Sequence, residues 1–537
     1  MARSLLIAVV FVLLAACGSS TGGSGGGSTL TLAPTVTSPG LVATNCGSYQ
    51  GSAQGSTYAF LGIRYAAAPT GARRWQGPQP PTCATSVQQA STFGAKCPQL
   101  DTATNSFVGD EDCLTLNVWA PAATVGNGSA RRPVFFFIHG GGNSLGSSSE
   151  TLLAGVPTYR GDRLAAAANA VVVTVNYRIG PLGFLAHPSL DAEAAQSTSG
   201  NYGILDLIAA LRWVRETIAN FGGDPNRIMV FGQSAGGQNT CMLLASPLAA
   251  GLFQEAAILS GGCPSRSRAQ IDTATLSLIS KAGCAGNSNV LSCLRGKTPE
   301  ELLRADPPVV QVSGSQTPWQ PHVDRYVLRD APISTFNAGG QNRVPVIIMT
   351  TADETSRDIS PSLTESQMVA TVNAQFGVLA PQILAQYPLS QFGSPWKTYT
   401  QITTDAKFVC PARTFSRALA RSQPEPIFRA LFTETIDAPN LINFGAFHGA
   451  EILFVFDNLD VGGYQASAAE LALRNSIQAY FRDFATNREP NSSSQVAWTP
   501  YNTVQDNYLT LEGGNVRMQF GLRTSRCDFW EQVLPGL

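Results

Sequence analysis

Five stretches of this chain are apolar at nearly every position and end in glycine or a polar residue: PVFFFIHG (133–140), AVVVTVNYR (170–178), RIMVFGQ (227–233), EAAILSGG (255–262) and VPVIIMTT (344–351). A strand with one wet face alternates; one that does not is covered on both faces, as in a mostly parallel sheet between helices. Earlier, TNCGSYQGSAQGSTYAFLGIRYA falls into short half-polar runs broken by Gly and Ser, and LTLNVWAP alternates in the same manner, so both predict antiparallel strands. Between the apolar runs the period changes. In YGILDLIAALRWVRETIANFG (202–222), Leu205, Ile208, Leu211 and Ile218 recur at helical spacing, and Gly222-Gly223 closes the end. Strands alternating with helices predict an α/β fold whose large, mostly parallel central sheet is flanked by helices. Residues 264–335 and 356–425 read as mixed helix and loop, expected as helical insertions walling a pocket over one edge of the sheet.

Composition narrows this picture. At about 150 residues per domain, 537 residues allow three domains, but large α/β chains of this length also keep one core. The formal net charge is −1 and no basic block or stripe is present, which argues against a nucleic-acid surface. The first residues read as an address. Arg3 precedes the twelve-residue apolar run Leu5 to Ala16, shorter than the roughly 20 residues a membrane span requires. The run ends in Leu14-Ala15-Ala16-Cys17, which resembles the lipobox of bacterial lipoproteins, and GSSTGGSGGGST follows as a flexible tether. The expected organisation is therefore a signal peptide over 1–17 with Cys17 as the lipidated residue, a Gly/Ser-rich tether over 18–33, and one domain over 34–537. That places the protein in the cell envelope, attached to a membrane by lipid at Cys17. Of eleven cysteines, ten remain beyond Cys17, and an exported chain uses such a set for disulfides. No CxxC pair lies near a histidine, and the four histidines are scattered, so no metal site is expected.

The chemistry begins at Gly232-Gln233-Ser234-Ala235-Gly236, between the strand RIMVF and a helical stretch. G-x-S-x-G in that context is a nucleophile elbow, with glycines permitting a turn sharp enough to expose the serine hydroxyl. Acyl transfer also needs donors where negative charge develops on the carbonyl oxygen. His139-Gly140-Gly141-Gly142-Asn143 follows a strand, so the N–H groups of Gly141, Gly142 and Ala235 are the expected oxyanion hole. The third need is a base. Behind such an elbow the chain order is serine, acid, histidine, and only His322 and His448 follow Ser234. His448, late in the chain between Gly-rich turns, is favoured over His322, which leaves little room for an intervening acid. The acid is expected where VPVIIMTT runs into Ala352-Asp353-Glu354-Thr355: Glu354, with Asp353 as the alternative.

With these pieces in place, the chain resembles the type-B carboxylesterase and cholinesterase family, from Val42 to Trp530. The resemblance is carried by GDEDCLTLNVWAP (109–121), FFIHGGGN (136–143), VVVTVNYRIGPLGFL (171–185), GNYGILDLIAALRWVRETIANFGGDPNRIMVFGQSAGG (200–237) and GAFHGAEILFVF (445–456). It implies an α/β-hydrolase fold, a Ser234–His448–Glu354 triad, and an oxyanion hole at Gly141, Gly142 and Ala235. It also implies disulfides pairing Cys97 with Cys113, Cys284 with Cys293, and Cys410 with Cys527. Cys46 with Cys83 is a plausible further pair, and Cys241 and Cys263 stay open. Three departures stand out. Gln233 occupies a position where most relatives carry glutamate. The short segment between Cys97 and Cys113 contains no tryptophan, so the aromatic on which cholinesterases stack a quaternary ammonium is missing. The acid motif reads Asp353-Glu354-Thr355 where the family has glycine third. The expected activity is cofactor-free hydrolysis of short- to medium-chain carboxylic esters through an acyl-enzyme. A silent adhesion module of the same fold, and an amidase or peptidase on the same scaffold, are the alternatives. Ser315 and Thr317 are expected at the acyl pocket, where cholinesterases place bulkier aromatics, so that longer acyl groups would fit.

Overall fold

Seven of the strands in the central sheet run parallel, and they include all five of the uniformly apolar stretches. The architecture comes from a computed structural model, which describes residues 39–151, 156–309, 317–492 and 495–533. Across the sheet the strands are ordered Arg517–Phe520, Asn507–Leu511, Ile427–Phe432, Val346–Thr351, Glu255–Leu259, Gly223–Gln233, Arg132–Ile138, Val171–Val175, Thr115–Pro121, Thr57–Arg64 and Ser52–Gln54. The last three, and Arg517–Phe520 at the far edge, are antiparallel to their neighbours. Gly40–Leu537 forms one compact unit. Cys17, the tether and Ser315 lie outside the described residues.

The absence of alternation has a direct structural cause. Val134, Phe136 and Ile138 enter one core with Val171, Val173, Val175 and the helix Tyr202–Thr217. Phe135 and Phe137 enter a second core on the opposite face, with Val172, Met229, Phe231 and the helix Ala468–Asn487. Each strand feeds alternate side chains to two dry layers, so both registers must be apolar. LTLNVWAP differs from expectation: the strand Thr115–Pro121 is buried on both faces except at its last residue. Its polar residues are spent inside, Asn117 Nδ2 donating to Ser148 Oγ and Thr174 Oγ1, both at 3.0 Å. Alternation here marks a buried polar network rather than a wet face.

Ile427–Phe432, Asn507–Leu511 and Arg517–Phe520 escaped the sequence reading. In the first, Arg429 interrupts the apolar run, yet it is 2% exposed and pairs with Asp506 at 2.6 Å. The carboxylate that permits its burial lies far along the sequence, so no local pattern marks the strand.

The order of the strands places the site. From Arg132–Ile138 the chain moves to Val171–Val175 on one side, then crosses back to Gly223–Gln233 on the other. Outside such a switch point, at the carboxyl ends of the strands, loops diverge and leave a crevice. The glycine run after Ile138 and Ser234 after Gln233 both occupy that position. The insertions 264–335 and 356–425 supply helices, among them Arg268–Lys281, Glu365–Phe376, Pro395–Thr404 and Cys410–Ser422. Five disulfides brace the unit: Cys46–Cys83, Cys97–Cys113, Cys241–Cys263, Cys284–Cys293 and Cys410–Cys527. The fifth pair left open by the sequence ties the helix Ala235–Ala245 to the segment after Glu255–Leu259.

Candidate active site

Ser234 sits between the strand Gly223–Gln233 and the helix Ala235–Ala245 with φ 59° and ψ −125°. A non-glycine residue at positive φ is strained and must be held by its surroundings. The Ser234 N–H donates to Leu259 O at 2.9 Å, and Ser234 O accepts from Gln238 N at 2.9 Å. A Cβ on Gly236 would overlap the carbonyl oxygen of Ile138, which is the steric reason for that glycine of the motif. The helix begins at Ala235, so the Ala235 N–H has no partner within it. The Ser234 side chain is partly exposed, whereas every residue of the helix behind it is buried.

The glycine run forms the facing wall. Gly141 has φ 106° and Gly142 φ 63°, and a Cβ on Gly141 would overlap the carbonyl of Leu145. The N–H groups of Gly141 and Gly142 donate to no described residue, leaving both for a ligand. His139, just before, is a packing residue: it stacks on Tyr177 with ring centroids 4.5 Å apart, and burial pushes it down to about 4.

His448 and Glu354 meet across 94 residues of sequence, Nδ1 to Oε2 at 2.5 Å. Glu354 follows the strand Val346–Thr351 and is 1% exposed; its other oxygen accepts from Thr351 N at 2.8 Å. The His448 N–H in turn donates to Glu354 O at 3.2 Å. With both carboxylate oxygens engaged, the imidazole is oriented and its cation favoured. Burial pushes His448 down, but the hydrogen bond and charge of Glu354, supplemented by Glu451 and Asp358, outweigh it and hold the imidazole above its ordinary value. His448 Nε2 is buried and bonds to no described residue, and the Phe408 ring lies 5.2 Å from the imidazole.

The alternatives fall elsewhere. Asp353 turns away, accepting from Gln401 Nε2 at 2.9 Å and Ala446 N at 3.2 Å, so it braces the loop that delivers His448. His322 is clamped by Asn201, and its ring fills the space beside Gly200; burial pushes it down to about 4. His187 caps the helix Pro188–Glu193, accepting from Ser189 N at 3.1 Å.

Two features were not read from the sequence. Glu451, three residues after His448, is fully buried, and burial reinforced by the charge of Glu354 pushes it up to about 8. Its Oε1 accepts from Ser260 Oγ at 3.3 Å. The second is the hydrogen bonding of Thr317, expected at the acyl pocket. Its hydroxyl accepts from Ser144 Oγ at 3.0 Å and Gln320 Nε2 at 3.1 Å, and donates to Gly142 O at 3.3 Å. Replacing it with a bulky aromatic would dismantle these bonds as well as fill space. Gln233, the departure beside Ser234, lies between the two loops: Cβ atoms built on Gly140 and Gly449 would fall 3.0 and 3.5 Å from its amide.

The carboxylesterase family model matches residues 38–530. The para-nitrobenzyl esterase of Bacillus subtilis (strain 168) is 33% identical over 491 residues, covering 88% of this chain and 96% of that protein. The fumonisin B1 esterase of Sphingopyxis macrogoltabida is 34% identical over 471 residues, covering 85% and 83%. Among solved structures, a thermophilic PNB esterase superposes with a TM-score of 0.79 at 30% identity, covering 92% of this chain and all of that one.

Proposed function

Since this chain belongs to the carboxylesterase family and is a carboxylic-ester hydrolase, we propose that it acts on short- to medium-chain esters through an acyl-enzyme on Ser234. The observation that carries this reading is the His448–Glu354 hydrogen bond at 2.5 Å, with Nε2 of the same ring left unpartnered. His448 Nε2 takes the Ser234 proton as the hydroxyl attacks the ester carbonyl. The N–H groups of Gly141, Gly142 and Ala235 receive the oxyanion, and the imidazolium returns its proton to the departing alcohol. Water, deprotonated by His448, then releases the acid. The acyl range rests on the resemblance, which sets the small side chain of Thr317 where cholinesterases carry bulkier aromatics. Each methylene that finds apolar walls adds about 0.8 kcal/mol, roughly fourfold in specificity.

The test is a series of chromogenic esters from acetyl to hexanoyl. A burst of alcohol equal to the enzyme concentration is expected, with butyryl to hexanoyl esters preferred over acetyl. Efficiency falling steadily from acetyl onward would remove the acyl assignment, and lack of any ester turnover the mechanism.

For the amino terminus we propose lipid attachment at Cys17, on the strength of Leu14-Ala15-Ala16-Cys17 and the Gly/Ser tether. Cys17→Ser is expected to move the enzyme from the membrane fraction to the soluble one at unchanged specific activity. Wild-type protein that is already soluble and carries no lipid at this cysteine would refute the assignment.

A further inference from the structure

Three consecutive residues of the oxyanion loop, Gly141, Gly142 and Asn143, have positive φ: 106°, 63° and 58°. Backbone of this kind joins no helix or sheet ladder, and here two of its N–H groups must remain free. Its position has to be fixed from behind, through carbonyls and side chains. Gly141 O accepts from Ser144 N and Leu145 N, and Asn143 O from Gly180 N at 2.6 Å; Gly142 between them is held by a buried amide. Gln320 is 2% exposed; its Nε2 donates to Gly142 O at 2.8 Å, and its Oε1 accepts from Asn143 Nδ2 at 3.0 Å. The same Nε2 reaches Thr317 Oγ1, which itself donates to Gly142 O. The grip continues to the nucleophile. Asn143 Oδ1 accepts from Asn239 Nδ2 at 2.8 Å, and Asn239 lies on the helix Ala235–Ala245 that starts just after Ser234. Asn143 and Asn239 are both fully buried.

We propose that Gln320 is a positioning residue of the oxyanion hole, setting through Asn143 and Asn239 the distance between the Gly141–Gly142 donors and Ser234. This rests on the acyl-enzyme reading above. Gln320 touches no reacting atom. A carboxamide suits the position because it donates to a carbonyl and accepts from an amide at the same time. Methionine has a similar length and can do neither.

Loss of an oxyanion donor costs about 100- to 1000-fold in kcat, and displacement of the reacting geometry by about 1 Å costs up to about 100-fold. Gln320→Met is therefore expected to lower kcat by about 10- to 100-fold while KM changes less than about twofold. Affinity for a trifluoromethyl ketone, which adds to the serine as a tetrahedral oxyanion, should fall by the same factor as kcat. Loss of folded protein alone would lower the titratable active fraction and leave kcat per active site unchanged. Asn143→Gly is the second variant: glycine keeps the positive φ and removes the side chain that Gln320 holds. Because the two residues form one link, the double variant should lose no more than the larger single loss.

Normal kcat and normal ketone affinity in folded Gln320→Met overturn the proposal, and so do multiplicative losses in the double variant. Should Gln320→Met fail to fold, a normal kcat in Asn143→Gly overturns it equally. Ester turnover at the wild-type rate by Ser234→Ala would remove the underlying mechanism together with this inference. Dependence on Ser234 with an unaffected Gln320→Met removes this inference alone.

Discussion

Ser234→Ala is expected to lower kcat on a chromogenic ester by about 10⁶-fold, with KM and melting temperature nearly unchanged. The stability expectation follows from the site. The Ser234 hydroxyl bonds to no described residue, and the strained φ of 59° is held by backbone bonds to Leu259 and Gln238, which alanine keeps. The kinetic expectation follows from chemistry. Without the hydroxyl only the oxyanion donors and substrate binding remain, a residual of about 10³–10⁴ over the reaction in water. Release of the chromogenic alcohol, measured at saturating substrate, decides it. A loss smaller than about tenfold would exclude Ser234 as the nucleophile.

Glu354→Gln should cost about 10⁴-fold in kcat, because an amide of the same shape can hold the imidazole in the wrong tautomer and cannot stabilise its cation. It also makes a prediction in pH. In the wild-type enzyme Glu354 holds His448 above its ordinary value, and the base must be neutral to work, so activity falls as pH drops through that raised value. Removing the carboxylate leaves burial as the dominant influence, which favours the neutral ring. The acid limb of kcat/KM for the residual activity should therefore move to lower pH. An acid limb that stays in place or moves upward would falsify the pairing. Asp353→Asn is the control: Asp353 holds Gln401 and the Ala446 N–H rather than the imidazole, so its loss should leave that limb where it was.

The two ends of the proposed triad differed in how far local sequence could carry them. Ser234 was recognisable because strand, glycines and serine are contiguous, and the close approach that requires Gly232 is to Gly236 of the same motif. Glu354 and Asp353 were not separable in that way. They are adjacent in one turn after a strand, and only the loop returning with His448 decides which carboxylate it meets. Gln320 carried no signal at all, since a glutamine in PWQPHVDRY is an ordinary surface residue until it is buried against Gly142 and Asn143.

The same division holds for the fold. Two-sided burial imprints itself on every residue of a strand, so the parallel centre of the sheet could be read from Phe135, Val172 or Met229 and their neighbours without coordinates. Helical spacing and the glycine stop likewise marked the helix from Tyr202. Pairing over distance leaves no such imprint. Arg429 hides a strand until Asp506 neutralises it, and Asn117 imitates a wet face until Ser148 and Thr174 satisfy it. Cys241 finds Cys263 only when the segment after Glu255–Leu259 packs on the helix Ala235–Ala245. Periodicity is a property of consecutive residues, each bearing the same solvent boundary. The satisfaction of a buried charge, amide or thiol depends on which distant segment arrives beside it, and that is settled only when the chain folds.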